Sequence, residues 1–168
     1  LVSQMTRKKV KVALSGDGGD ELFGGYDHYL ADRMSRTYRS VVPSPARSAI
    51  AWAAGLLPPT EKKKGVVNKV KRFVEGDAQR ADIENYRWMS FLSDAQRTEL
   101  FSERYLSAVP AGTAYTRLLQ HFSDAQRFGE PMNRQSYVDL NVYMVEDILV
   151  KVDTASMANS LEVRVPFL

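Results

Sequence analysis

Strand-forming sequence is confined to the two ends of this 168-residue chain, and that placement restricts the fold more than any other feature. Near the start, Lys9-Val10-Lys11-Val12-Ala13-Leu14 alternates polar and apolar residues, then turns continuously apolar before a glycine-rich stretch. Such a run predicts a strand whose C-terminal end feeds a loop. At the far end, Leu161-Glu162-Val163-Arg164-Val165 alternates again and is stopped by Pro166. A lone strand leaves its backbone edges unpaired, and two strands make a marginal sheet. Either the two pair with each other, or part of the sheet comes from sequence outside this chain.

Most of the sequence between them has helical spacing. Asp20 to Tyr38 is punctuated by Gly24 and Gly25, which predicts a short first helix and a break. Ser44-Pro45 reads as an N-cap followed by proline at the first helical position, opening a helix over 46–57 that Pro58-Pro59 ends. Val66–Val74 carries an apolar face of Val66, Val67, Val70, Phe73 and Val74. Ile83–Leu92, Thr113–Phe122 and Ser136–Val152 share the spacing, and the last is apolar on more than one side, as a central buried helix would be. Asp139, Glu146 and Asp153 fall seven apart in it, on one predicted face, and buried acids need a partner, a metal or a ligand. The competing reading there is a buried helix whose acids pair with nearby arginines. Trp52 and Trp88 follow helical spacing and read as core. Asp-Ala-Gln-Arg occurs at 77, 94 and 124, but the intervals are unequal, so no solenoid is built; Ser93-Asp94 and Ser123-Asp124 read as helix caps.

Composition removes several chemistries. With no cysteine, the chain has no disulfide, no thiol nucleophile and no Cys-ligated zinc or iron–sulfur cluster. With two histidines, His28 and His121, a multi-histidine metal site is excluded as well. The longest apolar runs, such as 50–57, are far short of the roughly 20 residues of a membrane helix. The first residues lack an apolar core followed by a small-residue cleavage site, so a cytoplasmic location with no membrane partner is expected. Lys and Arg total 23 against 20 for Asp and Glu, a net charge of only +3. The basic stretch Glu61-Lys62-Lys63-Lys64 with Lys69, Lys71 and Arg72 has no interleaved aromatic platform. It reads as a solvated helix end, and no nucleic-acid partner is expected.

The sharpest local feature is Ser15-Gly16-Asp17-Gly18-Gly19-Asp20-Glu21, between the first strand and the first helix. Its glycines let a ligand approach the main chain, and turn amides with a helix N-terminus suit an anion such as phosphate. Asp17, Asp20 and Glu21 would repel a bare phosphate but suit one accompanied by Mg²⁺, which takes carboxylate and phosphate oxygens together. The loop is not a Walker A sequence, and Glu21 stands where the dinucleotide pattern needs its third glycine. The competing reading is an acidic turn in which Asp20 merely caps a helix.

Taken together, two stretches carry a family resemblance. Val12-Ala13-Leu14-Ser15-Gly16-Asp17-Gly18-Gly19-Asp20-Glu21-Leu22-Phe23-Gly24-Gly25-Tyr26 resembles the middle motif of the synthetase domain of glutamine-hydrolysing asparagine synthetases. Asp153-Thr154-Ala155-Ser156-Met157-Ala158-Asn159-Ser160-Leu161-Glu162-Val163-Arg164-Val165-Pro166-Phe167-Leu168 resembles that domain's later motif. The likeness is sharp at both ends and weak over about 38–133.

The resemblance implies an α/β class, a Rossmann-like ATP-pyrophosphatase fold with a parallel sheet, of which this stretch is predominantly α-helical with one or two strands. It implies ATP and Mg²⁺ as cofactors and an aspartate or related carboxylate as substrate. ATP adenylates that carboxylate, pyrophosphate leaves, and ammonia from a glutaminase domain outside this chain displaces AMP. By motif position, Ser15 and Gly16 contact the adenylate, Asp17 supports formation of the acyl-adenylate, and Asp20 ligates Mg²⁺. Glu162 and Arg164 belong near the substrate pocket. A homodimer is compatible with the family.

The family's Ser-Gly-Gly-x-Asp-Ser loop is not in this sequence, and a chain without cysteine lacks the glutaminase nucleophile. Residues 1–168 are therefore expected to be the central-to-late part of one synthetase domain, with little turnover alone. The rival readings are a helical interaction module and a nucleotide-binding sensor without catalysis.

Overall fold

The computed structural model describes residues 1–57, 65–78, 81–90, 92, 94–110 and 112–168. They form two compact units, one of 1–26 with 120–168 and one of 27–119.

In the first unit the two predicted strands form and pair. Strand β1 (Val12–Leu14) and strand β2 (Glu162–Arg164) lie parallel, with Val12 opposite Glu162, Ala13 opposite Val163 and Leu14 opposite Arg164. Glu162 N–H donates to the Lys11 carbonyl at 3.0 Å and Ser15 N–H to the Arg164 carbonyl at 2.9 Å, extending the ladder past both ends. Alternation puts Val12 and Leu14 on one face and Ala13 on the other. Ala13 and Val163 are half-buried, while Leu14 is 74% exposed. Parallel strands are normally covered on both faces, so among the described residues this apolar row is left open.

Helix α1 (Val2–Arg7) precedes β1, and helix α2 (Gly19–Phe23) follows it. Gly24, at φ 71°, ends α2 in the left-handed region, which is the break that Gly24-Gly25 predicts. The predicted continuous helix over 136–152 is a correction. Helix α9 (Pro131–Asn141) stops where Val142 swings to φ −119°, a π-helical turn spans Met144–Ile148, and helix α10 (Leu149–Met157) resumes. The inserted turn changes which residues face inward. Val138, Asp139 and Met144 are buried, whereas Val145, Glu146, Val150 and Asp153 are exposed, so the three acids do not share one buried face.

Between α10 and β2 the chain turns at Ser160, whose φ is 55°. Leu161 N–H donates to the Ser156 carbonyl at 3.1 Å and Ser160 N–H to the Met157 carbonyl at 2.9 Å. These are the two bonds of a Schellman stop, with serine in the place glycine usually takes. Arg7 Nε donates to the Ser160 carbonyl at 2.8 Å and ties α1 to this turn.

The second unit is built from helix α3 (Asp27–Val41), helix α4 (Ser44–Gly55), helix α5 (Val66–Ala78), a 3-10 segment (Ala81–Trp88), helix α6 (Asp94–Leu100) and helix α7 (Glu103–Ala108). A short 3-10 turn (Thr113–Tyr115) leads to helix α8 (Thr116–Asp124), and another (Ala125–Arg127) follows it. Ser44 is the first residue of α4 rather than its cap. Pro43, extended at φ −60° and ψ 150°, takes that position. Pro58-Pro59 and Ser93 lie outside the described residues. Ser123-Asp124 closes α8 instead of capping a helix. Ile83–Leu92 is not α-helical: Glu84 stands at φ 39° and ψ −120°, which kinks the 3-10 segment. Of the apolar face expected on α5, Val74 is buried, but Val66 and Val70 are exposed. Trp88 is buried and Trp52 is not, being 71% exposed.

The centre of this unit is charged. Asp32, Ser35, Asp77 and Arg87 are all buried. Arg87 Nη2 donates to Asp32 Oδ1 at 2.7 Å, and Arg36 pairs with the other Asp32 oxygen. Asp77 accepts from Ser35 Oγ, from Arg39 Nε at 2.7 Å and from Arg47 Nη1 at 3.3 Å. One carboxylate on α5 thereby holds α3 and α4. Burial pushes the Asp77 carboxyl up, but the hydrogen bonds from Ser35 and Arg39 and the charges of Arg39 and Arg47 outweigh it, so its pKa lies below the usual value.

Two outcomes are expected. A depressed carboxyl contributes stability above its unfolded pKa of about 3.9 that disappears as pH falls through the lower folded value. Asp77→Asn should therefore flatten the acid limb of melting temperature against pH, and at neutral pH it should destabilise by about 3–5 kcal/mol, since it removes the buried charge that Arg39 and Arg47 share. Ser160→Gly should instead stabilise by about 1 kcal/mol in urea unfolding, relieving the left-handed backbone.

Candidate functional site

The ladder delivers the glycine turn directly from the end of β1. Ser15 Oγ donates to Asp17 Oδ2 at 2.6 Å, and Asp17 N–H returns to Ser15 Oγ at 3.4 Å. Gly19 N–H donates to the Gly16 carbonyl at 3.2 Å. Three of the turn's amides, those of Ser15, Asp17 and Gly19, are thus already engaged within the protein. Ser15 and Asp17 are half-buried, and Gly16 is exposed. Gly18 sits at φ 88°, where a side chain would be strained, and is the N-cap of α2. A Cβ there would also meet Leu168 Cδ2 at 3.0 Å.

Asp20 lies in the first turn of α2, not at its cap, so the bland capping reading does not hold in that form. Its exposed carboxylate is folded back over Gly25, whose missing Cβ leaves the space it occupies. Gly25 N–H donates to the Asp20 carbonyl at 3.0 Å, closing this short loop.

Glu21 turns the other way. It is 1% exposed and accepts the Tyr26 phenol at 2.5 Å, while its carbonyl accepts Ser136 Oγ at 2.7 Å. The Tyr26 ring meets Tyr143 edge-on at 6.0 Å. Burial raises the Tyr26 phenol far above its ordinary range, helped by the hydrogen bond to Glu21 and the charges of Glu21 and Asp20. Tyr143 is raised too, by burial and then by Asp147, Glu21 and Asp139. Glu21 is therefore a buttress behind the turn and does not join Asp17 and Asp20 at the surface. Sequence reading missed Tyr26, Ser136 and Tyr143 as its supports. The signal available was an aromatic two residues past the helix-ending glycine.

The later motif arrives alongside. Glu162 and Arg164 project from the same face of β2, and Arg164 Nε donates to Glu162 Oε1 at 2.7 Å with both side chains more than half exposed. Beyond β2, Leu168 N–H turns back to the Val165 carbonyl at 3.3 Å. Phe167 packs edge-on against Phe23 at 5.9 Å and lies near Gly19. The structure thus brings Ser15, Gly16 and Asp17 into one turn, places Asp20 on the helix leaving it, and sets Arg164 opposite Leu14 at its edge.

A strand–turn–helix joined by a parallel pair to a second motif defines a mostly helical α/β protein with a glycine-rich loop at the C-terminal end of β1. A family model described as asparagine synthase matches residues 1–168, and the chain belongs to that family. It is 33% identical over its whole length to a Mycobacterium tuberculosis protein provisionally named asparagine synthetase (glutamine-hydrolyzing), and covers 24% of it. It is 30% identical to Bacillus subtilis asparagine synthetase (glutamine-hydrolyzing) 1, again over the whole chain and 24% of the relative. Penicillium rubens amidase chyE is 25% identical over the whole chain and 25% of its own length. The chain therefore spans about a quarter of the relatives it matches. No solved structure matches it significantly.

The packing of Asp20 against Gly25 gives a direct test. Gly25→Ala should cost about 1–3 kcal/mol in chemical denaturation, as overpacking does. Most of that loss should vanish when Asp20→Ala is added, because the clash is with the carboxylate itself. An additive double mutant would show that Gly25 matters for another reason.

Proposed function

We propose that this chain carries the later half of the adenylation site of an asparagine synthetase-like, ATP-dependent amidotransferase. The observation that supports the reading most is the convergence of the two family motifs, Ser15-Gly16-Asp17 and Glu162–Arg164, on adjacent ends of one parallel strand pair.

In the parent reaction an aspartate side-chain oxygen attacks the α-phosphorus of ATP, forming an acyl-adenylate and expelling pyrophosphate. Ammonia from a glutaminase domain outside this chain then attacks the acyl carbon, loses a proton and displaces AMP, leaving the amide of asparagine. Ser15 and Gly16 line the adenylate, with Gly16 leaving the main chain accessible. Asp17, oriented by its bond from Ser15, supports acyl-adenylate formation. Glu162 and Arg164 border the acceptor carboxylate. Aspartate or a related carboxylate is the acceptor.

Among the described residues no three acids or histidines converge as a metal-holding group. Mg²⁺ is commonly held jointly by one or two carboxylates and by nucleotide phosphates, and the exposed Asp20 carboxylate is the donor assigned to it here. When bound, Mg²⁺ supplies charge neutralisation to the departing pyrophosphate.

Calorimetric titration with Mg²⁺·ATP tests the reading. Saturable binding is expected, weakened about tenfold or more by Asp20→Asn, which corresponds to at least about 1.4 kcal/mol. Equal affinity in the variant would remove Asp20 from the site. No heat from a chain that melts cooperatively would overturn the half-site itself. A nucleotide sensor would bind equally well but would restore no synthesis when the relatives' missing segments are supplied in trans.

A further inference from the structure

Asp20 presents an exposed carboxylate that no hydrogen bond among the described residues holds. Its direction is set instead by the backbone it rests on. A Cβ built on Gly25 would meet Asp20 Oδ1 at 2.0 Å, so the carboxylate fills the space beside that glycine. The support is therefore Gly24-Gly25, two consecutive residues of the type with the most backbone freedom. A loop of that kind needs a restraint from elsewhere if it is to hold a side chain still.

The chain is pinned on both sides of Gly25. On one side, Gly25 N–H donates to the Asp20 carbonyl at 3.0 Å. On the other, Tyr26 reaches back beneath the loop, and its phenol donates to Glu21 Oε1 at 2.5 Å. Glu21 is buried, and its carbonyl accepts Ser136 Oγ at 2.7 Å, which ties α2 to α9. The Tyr26 ring meets Tyr143 edge-on, at the residue that opens the π-helical turn. Successive helical residues point about 100° apart. The same short helix can thus present Asp20 outward while Glu21 locks the returning chain from within.

We propose that Tyr26 is a positioning residue for Asp20: its bond to Glu21 holds Gly25 beneath the Asp20 carboxylate and so fixes where that carboxylate meets a metal–nucleotide ligand. The placement of Asp20 is a property of the free chain, whereas its use rests on the adenylation reading. A ring that served packing alone could be replaced by phenylalanine with no consequence at Asp20. Groups that orient a metal ligand commonly change metal affinity by about 10–100-fold when they are lost.

NMR of the free chain and calorimetry with nucleotide test this together. In the parent chain, NOE cross-peaks are expected between the Asp20 β-protons and the Gly25 α-protons. Tyr26→Phe should lose them. That variant leaves a buried carboxylate without its donor, so Tyr26→Phe with Glu21→Met is made beside it, removing both polar partners while keeping their bulk. The double variant should melt cooperatively and lose the same cross-peaks. Glu21→Gln keeps an acceptor for the phenol and should retain them. Both phenylalanine variants should bind Mg²⁺·ATP about tenfold or more weakly than the parent. They should bind ATP in EDTA as the parent does, and Glu21→Gln should match the parent in both. Cross-peaks that persist in the phenylalanine variants would overturn the positioning role. So would their loss with the Mg²⁺·ATP affinity unchanged. A parent chain that binds no Mg²⁺·ATP would remove the adenylation reading, and the cross-peaks alone would then decide whether Tyr26 holds Asp20.

Discussion

The parallel pairing of Val12–Leu14 with Glu162–Arg164 is the interaction on which the candidate site depends. Each strand is three residues long, and a two-stranded parallel ladder is weak by itself. It persists because both strand ends are clamped by neighbours. The Schellman turn at Ser160 aims the chain into β2, Arg7 holds that turn from α1, and Phe167 and Leu168 fold over the glycine turn at the other end. The consequence is chemical as well as structural. Ser15, which begins the turn, hydrogen-bonds the backbone of Arg164, so the first motif cannot shift without moving the second.

Behind the turn, acidity is divided by burial. Asp17 and Asp20 stay at or near the surface, while Glu21 is sealed beneath with Tyr26 and Tyr143. A carboxylate in that position needs a donor, and the phenol supplies it while remaining protonated at any physiological pH. Three neighbouring acids thereby separate into solvent-facing and buried supporting positions. The second unit uses charge differently. Asp32, Asp77 and Arg87 form a desolvated network that crosslinks α3, α4, α5 and the 3-10 segment. Such networks stabilise weakly against a hydrophobic alternative but are strongly destabilised when one partner is lost.

Much of the chain's local structure was legible from residue patterns. Alternation marked both strands, Gly24-Gly25 marked the break after α2, and Pro45 marked the start of α4 within one residue. The turn residues Ser15, Gly16 and Asp17 were legible as well, because a strand running into glycines and acids has few other uses. The misreadings share a cause. Periodicity over 136–152 and 83–92 is compatible with a continuous helix, yet a π turn at Met144–Ile148 and a kink at Glu84 interrupt them. Burial of particular side chains against neighbours distant in sequence is not recorded in apolar spacing. Trp52 and Trp88 have equivalent local patterns and opposite burial for the same reason.

Local residue order was sufficient to specify the glycine turn, the strands flanking the helices and the family to which the chain belongs. Those properties depend on backbone conformational preference and short-range pattern, which act between near neighbours. Tertiary structure alone decided that the two strands pair with each other, that Glu21 faces inward while Asp20 faces out, and that Asp32, Asp77 and Arg87 meet in one buried network. These depend on desolvation and on contacts between residues far apart in the chain, and such terms take their values only once the fold has brought the partners together.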